Sequence, residues 1–255
     1  VPVGKPVAVK FLHAVMADDR ESRSRFERET RALSKLAHPH CVSIIDFGVD
    51  GAPYLVMDHV AGVTLRDLLD DGPLPVDDAL AIARQLLAGL AHAHAQRIVH
   101  RDVKPANIMV SDEIGTGRHV RILDFGLARL RDGASTMVTQ SSVALGTPSY
   151  MAPEQTVGGE VDARTDLYAA GVVLFEMLTG RRPFVADEQA ALLEAHRSAP
   201  IPRLAEVSPG TKWPKGLDAV VQRALAKRPE DRWPSAVEMA AALEQIGRGE
   251  VPVVP

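Results

Sequence analysis

The chain has 255 residues, 46% of them hydrophobic and 24% charged, with a formal net charge of −4. That balance excludes a disordered or fibrous chain, and its interleaved acids and bases supply no field to draw in nucleic acid or anionic lipid. The single cysteine, Cys41, excludes an internal disulfide framework and a Cys-rich zinc site, and reads as a small buried hydrophobe.

The elements follow in chain order. Residues 7–12 are a short β-branched run around Lys10 and predict a strand. Across residues 19–37, Phe26, Leu33, Leu36 and Ala37 recur at helical steps, which predicts an amphipathic helix ending before Pro39. Residues 42–47 and 54–57 predict two more strands joined by a Gly-Val-Asp-Gly turn. Strand, helix, strand, strand makes a small α+β unit.

Beyond Gly62 the pattern turns helical, with helices expected over 64–69 and 76–96; Asp77 and Asp78 suit the start of the second. Strands are expected at 107–110 and 119–123, then a polar Ser/Thr/Gly loop over 131–149. Helices are expected again near 164–178, 187–197, 217–226 and 235–246, and residues 247–255 read as a linker leaving the domain. The longest apolar run, 168–178, falls short of the roughly 20 residues a membrane span needs and contains Glu176. It predicts a buried core helix.

No G-x-x-x-x-G-K-[ST], G-x-G-x-x-G or H-E-x-x-H motif occurs. His92 and His94 are two apart on a helix, share no face, and read as structural. The loop His100-Arg-Asp-Val-Lys-Pro-Ala-Asn107 differs in kind. Phosphoryl transfer needs a group to orient the attacking hydroxyl and take its proton, a cation for developing charge, and an oxygen ligand for Mg²⁺. Asp102, Lys104 and Asn107 (the only asparagine in the chain) offer these in turn. Asp124-Phe-Gly126 adds a second hard carboxylate at a strand end.

Together these motifs resemble the protein kinase superfamily, in particular the bacterial eukaryotic-like Ser/Thr kinases, over nearly the whole chain. Val7-Ala-Val-Lys10 resembles the strand whose lysine holds the α/β-phosphates, and Glu29 the helix glutamate that pairs with it. Met57 resembles a gatekeeper. The resemblance implies that backbone groups of Asp58 and Val60 bond adenine and that Ala8 and Met109 sandwich it. Met-Ala-Pro-Glu154 matches the end of an activation segment, Asp166 a brace for the catalytic loop, and Arg232 the partner of Glu154. Lys104, two residues after Asp102, and Gly146-Thr147 are the Ser/Thr pattern, with Thr147 bonding Asp102 and Lys104. Arg101 implies a phosphate on the segment before Glu154, with Thr139 and Ser141 as the autophosphorylated pair.

The expected architecture is therefore a bilobal α+β kinase fold. A small β-rich lobe with one main helix covers about 1–57, a hinge 58–62, and a large, mainly helical lobe 63–246. The nine residues before Lys10 are too few for the family's first two strands and glycine-rich loop, so these are expected to be missing from this chain. Implied cofactors are ATP and Mg²⁺ or Mn²⁺. Implied partners are protein substrates offering Ser or Thr, with a homodimer for autophosphorylation in trans, no nucleic acid and no membrane segment. The implied setting is the cytoplasm, either free or as the cytoplasmic domain of a membrane-anchored receptor. Three readings stay open: an active kinase, a pseudokinase that binds nucleotide in a regulatory role, and an interaction scaffold.

Overall fold

The computed structural model describes residues 4–11, 20–50, 52–113, 117–125 and 148–254. In the smaller lobe, β1 (Val7–Phe11), β2 (Ile44–Asp50) and β3 (Ala52–Asp58) form an antiparallel sheet in the order β1-β3-β2. Side chains two apart on a strand share a face, so Ala8 and Lys10 lie together, opposite Met57 and Leu55 in register. α1 (Arg20–Leu33) packs against β2, burying Phe26, whose ring meets that of Phe47 edge-on at 6.2 Å.

The strand expected from residue 42 begins at Ile44, because the other lobe captures the residues before it. Val42 donates its N–H to the Ile122 carbonyl (3.0 Å), and Cys41 bridges to Ile122. Cys41 is buried, and burial pushes its thiol up to about 12. It is inert as a nucleophile there.

In the larger lobe, β4 (Val63–Thr64), β5 (Ile108–Glu113) and β6 (Gly117–Ile122) form a second antiparallel sheet in chain order. The hinge enters β4 through Gly62 (φ 128°), where a Cβ would collide with the Val110 carbonyl, so glycine is required. Thr64 caps α2 (Leu65–Asp70) in a reciprocal box with Asp67. α3 (Val76–Ala95) lies beside β6 and α5 (Ala163–Thr179). α5 is buried from Thr165 to Thr179, as an apolar helix without a polar face must be, and ends at Gly180 in the left-handed region. α6 (Gln189–Ser198), α8 (Leu217–Ala224) and α9 (Ala236–Gly247) complete the lobe, with α4 (Pro153–Thr156) and α7 (Leu204–Val207) as single turns.

The tail expected to leave the domain instead folds back on it. Pro252 is buried against Gly216, and Val254 packs on the core. Its Val-Pro composition suited a linker, but the same residues cover the start of α8.

Four histidines meet where the α1–β2 connection crosses α3 and β6. The His38 ring stacks on His92 (5.0 Å) and approaches His40 (5.3 Å), which in turn meets His119 (5.0 Å). Burial, then the nearness of His40 and His92, holds His38 below its ordinary value of 6.5. The unfolded chain therefore takes up this proton first as pH falls through 6.5, and the fold loses stability towards acid. We expect the melting temperature to drop below about pH 6.5, with a shallower drop in His38→Gln; parallel curves for the two proteins would contradict this.

Candidate active site

The loop from His100 to Asn107 is held from below by α5. Asp166, in the first turn of that helix and 1% exposed, accepts the backbone N–H of His100 (2.8 Å) and of Arg101 (2.8 Å). His94 of α3 supplies a third bond to it through Nε2 (2.8 Å), which gives that histidine its structural role. The Arg101 carbonyl accepts from Gln155 Nε2 (2.9 Å). These ties keep Arg101 at φ 68°, a conformation that costs a non-glycine residue roughly 1–3 kcal/mol and persists only when its surroundings impose it.

His100 is fully buried, and its bonds identify its tautomer. Nδ1 accepts from the Asp102 N–H (3.2 Å), so Nε2 carries the proton and donates to the Leu123 carbonyl (2.7 Å). A neutral imidazole thus pins the segment that ends in Asp124 to the loop that carries Asp102. The His100 ring also meets that of Phe125, 4.8 Å away.

Asp102 sits at the centre of the polar cluster. Its Oδ2 accepts from Lys104 Nζ (2.8 Å) and Asn107 Nδ2 (3.1 Å), while the same amide nitrogen donates to the Asp102 carbonyl (2.8 Å). Both Asn107 N–H donors are thereby taken, so this buried side chain has its amide oxygen to offer, a neutral hard ligand. Asp124 also stands in the left-handed region (φ 60°), and its carboxylate accepts from Lys10. Strand β1 of one lobe and the end of β6 in the other are joined by this ion pair.

The remaining expected residues divide into those the structure places and those outside the described residues. Ala8 lies opposite Met57 in the sheet, and Met109 lies on β5 opposite Thr64. Asp58 donates its N–H to the Ser43 carbonyl (3.1 Å), so any bond from it to a base would come through its own carbonyl. Val60 is half-buried against the core, and Glu29 lies half-buried on α1. Thr139, Ser141 and Thr147 lie outside the described residues. Glu154 and Arg232 form a two-pronged ion pair: NH1 to Oε1 at 2.8 Å and NH2 to Oε2 at 2.7 Å. Burial alone would raise the Glu154 carboxyl, but the bonds from Arg232 and Thr165 outweigh it and hold the group below the usual carboxylate range.

One part of the site escaped sequence reasoning. Glu176, noted there only as a charge interrupting an apolar run, accepts from the Tyr150 hydroxyl (2.6 Å) and from Arg66 of α2 (2.9 Å). This network borders an open groove of about 1000 Å³ that Lys104 and Pro105 also line. A carboxylate inside a fully buried helix was the available signal, because such a group must be paired.

The chain matches the protein kinase domain family over residues 2–244. It is 41% identical over 259 residues to a probable serine/threonine-protein kinase of Corynebacterium efficiens, covering 98% of this chain and 38% of that protein. It is likewise 41% identical over 258 residues to the serine/threonine-protein kinase PknB of Mycobacterium tuberculosis, covering 98% and 40%. The crystal structure of the PknI kinase domain of M. tuberculosis superposes with a TM-score of 0.72 at 32% identity, covering 94% of this chain and 85% of that one. The chain thus spans about two fifths of the length of those two curated relatives.

Proposed function

The chain belongs to the protein kinase family, and on that footing we propose that it transfers the γ-phosphate of ATP to Ser or Thr hydroxyls of proteins. The observation that carries this reading is the Asp102–Lys104–Asn107 cluster, tied through His100 to the segment bearing Asp124, whose carboxylate pairs with Lys10 of β1. Asp102 orients the attacking hydroxyl and takes its proton. Lys104, already beside that carboxylate, neutralises charge on the γ-phosphate as the bond to the leaving oxygen breaks. Lys10, with Glu29 as its helix partner, holds the α/β-phosphates. Ala8, Met57, Asp58, Val60 and Met109 receive the adenine.

Protein kinases use ATP with a divalent metal ion. The oxygens of Asn107 and Asp124 suit Mg²⁺, which prefers few protein ligands and completes its shell with phosphates and water. When bound, the ion offsets negative charge on the phosphates and shapes them for in-line attack.

A pseudokinase or a scaffold would not require a carboxylate, a lysine and an amide to be held in mutual bonds. Their presence together favours catalysis. No helix among the described residues is long and apolar enough to cross a membrane; we place the domain in the cytoplasm because ATP is there. Autophosphorylation on Thr139 and Ser141, between two copies, would give Arg101 its phosphate. Incubation with MgATP should label Ser and Thr but not Tyr acceptor peptides, and phosphopeptide mapping should find Thr139 and Ser141 modified. Label confined to tyrosine, or ATP that binds without transfer, would contradict the reading.

A further inference from the structure

The groove beside Lys104 bears on which substrates the domain selects. Among the described residues, its charged lining consists of Arg66, Lys104, Arg181 and Arg182 against Glu176 and Glu206. Both carboxylates already accept hydrogen bonds, Glu176 on both oxygens and the exposed Glu206 on one. Glu176 is buried, with one oxygen bonded by Arg66 and the other by Tyr150. Glu206 accepts the Arg203 N–H (2.8 Å) at the start of α7.

The cations are differently placed. Arg181 is exposed at the end of α5, and Arg182, beside it, donates to the Ser149 hydroxyl. Each guanidinium has five N–H donors, more than the contacts described here use. Exposed Ala106, two residues after Lys104 in the same lining, contributes no charge. A basic side chain entering this groove would meet an excess of cations, with Glu176 buried and fully bonded and the exposed oxygen of Glu206 as its one counter-charge in the described lining. An acidic one would meet donors.

We propose that the groove selects protein substrates whose phosphorylated residue is flanked by Glu or Asp, with Arg181 and Arg182 as the specificity-determining residues. This rests on the kinase reading above and names the substrate class for the same site. Guanidinium groups bind carboxylates as paired, charge-assisted donors. Partial exposure makes the contribution modest and salt-sensitive.

The test compares two peptides with the same acceptor, one flanked by glutamates and one by arginines. We expect kcat/KM to favour the acidic peptide by on the order of tenfold, with the ratio shrinking as KCl is raised. Arg181→Glu, an exposed position where folding is not at risk, should collapse the ratio. Ala106→Glu, which adds a carboxylate elsewhere in the lining, should move it the same way, and because each ratio is taken within one protein a general loss of rate cancels. Equal or better use of the arginine-flanked peptide by the wild-type chain would overturn the substrate inference alone. Transfer to neither peptide, with no label on the chain itself, would overturn the kinase reading and this inference with it.

Discussion

Asp102→Asn should lower turnover on a Ser/Thr peptide by roughly 10²–10⁴-fold, the range for one positioned acid–base group, while ATP affinity changes little. The substitution keeps the shape of the side chain and can keep an oxygen for Lys104 and Asn107, now at 2.8 and 3.1 Å from Oδ2. What it removes is the negative charge and the capacity to take a proton from the attacking hydroxyl. The bonds that hold the loop, from Asp166 to the His100 and Arg101 N–H groups, do not involve the Asp102 side chain. The loss should therefore fall on kcat and leave the melting temperature nearly unchanged. Turnover near the wild-type rate would remove Asp102 from its role.

Arg232→Leu should instead strike the fold, by about 3–5 kcal/mol, the usual cost of stranding one partner of a buried ion pair. Arg232 is 1% exposed and Glu154 9%. The guanidinium also bonds the carbonyls of Ala226 (2.8 Å), Lys227 (3.0 Å) and Arg164 (3.1 Å), and lies over the Tyr168 ring. Removing it takes a donor from each of those carbonyls and leaves the Glu154 carboxylate buried without its cation, with the Thr165 hydroxyl (2.6 Å) still bonded to it. Replacing Glu154 by leucine as well removes the stranded charge, so the double variant should be less destabilised than the two single losses summed. Because the Glu154 carboxyl is held below its usual range, its stabilising share is present above about pH 4.5 and lost as pH falls further. Denaturant titrations across that range should show a weaker acid dependence in Arg232→Leu. A wild-type midpoint in that variant would contradict the account.

How much was legible beforehand depended on how local each feature is. The cluster from Asp102 to Asn107 could be read because its chemistry demands specific residue types within one short loop. The pairing of Lys10 with Asp124, 114 positions apart, has no local signature, and the family resemblance matched Lys10 to a phosphate-binding role with Glu29 as its partner. Long helices such as α3 and α5 were expected close to their observed bounds, since periodicity and caps are local too. The start of β2 and the path of the tail were not, because the Ile122 carbonyl and Gly216 that capture them lie on distant parts of the chain. The role of Glu176 is hidden for a related reason: in a linear reading its partners Tyr150 and Arg66 are invisible, and only the cost of an unpaired buried carboxylate points to them.

In the proposed function, Asp102 and Asp124, carried by different segments, serve one phosphoryl-transfer centre. Its most direct test is the rate of γ-phosphate transfer from saturating MgATP to a Ser/Thr peptide in Asp102→Asn, Asp124→Asn and the double variant. Residues acting as a unit are strongly non-additive, so the double variant should be no slower than a few times the worse single one. A double variant slowed by the product of the two single losses would mean that the two carboxylates act independently.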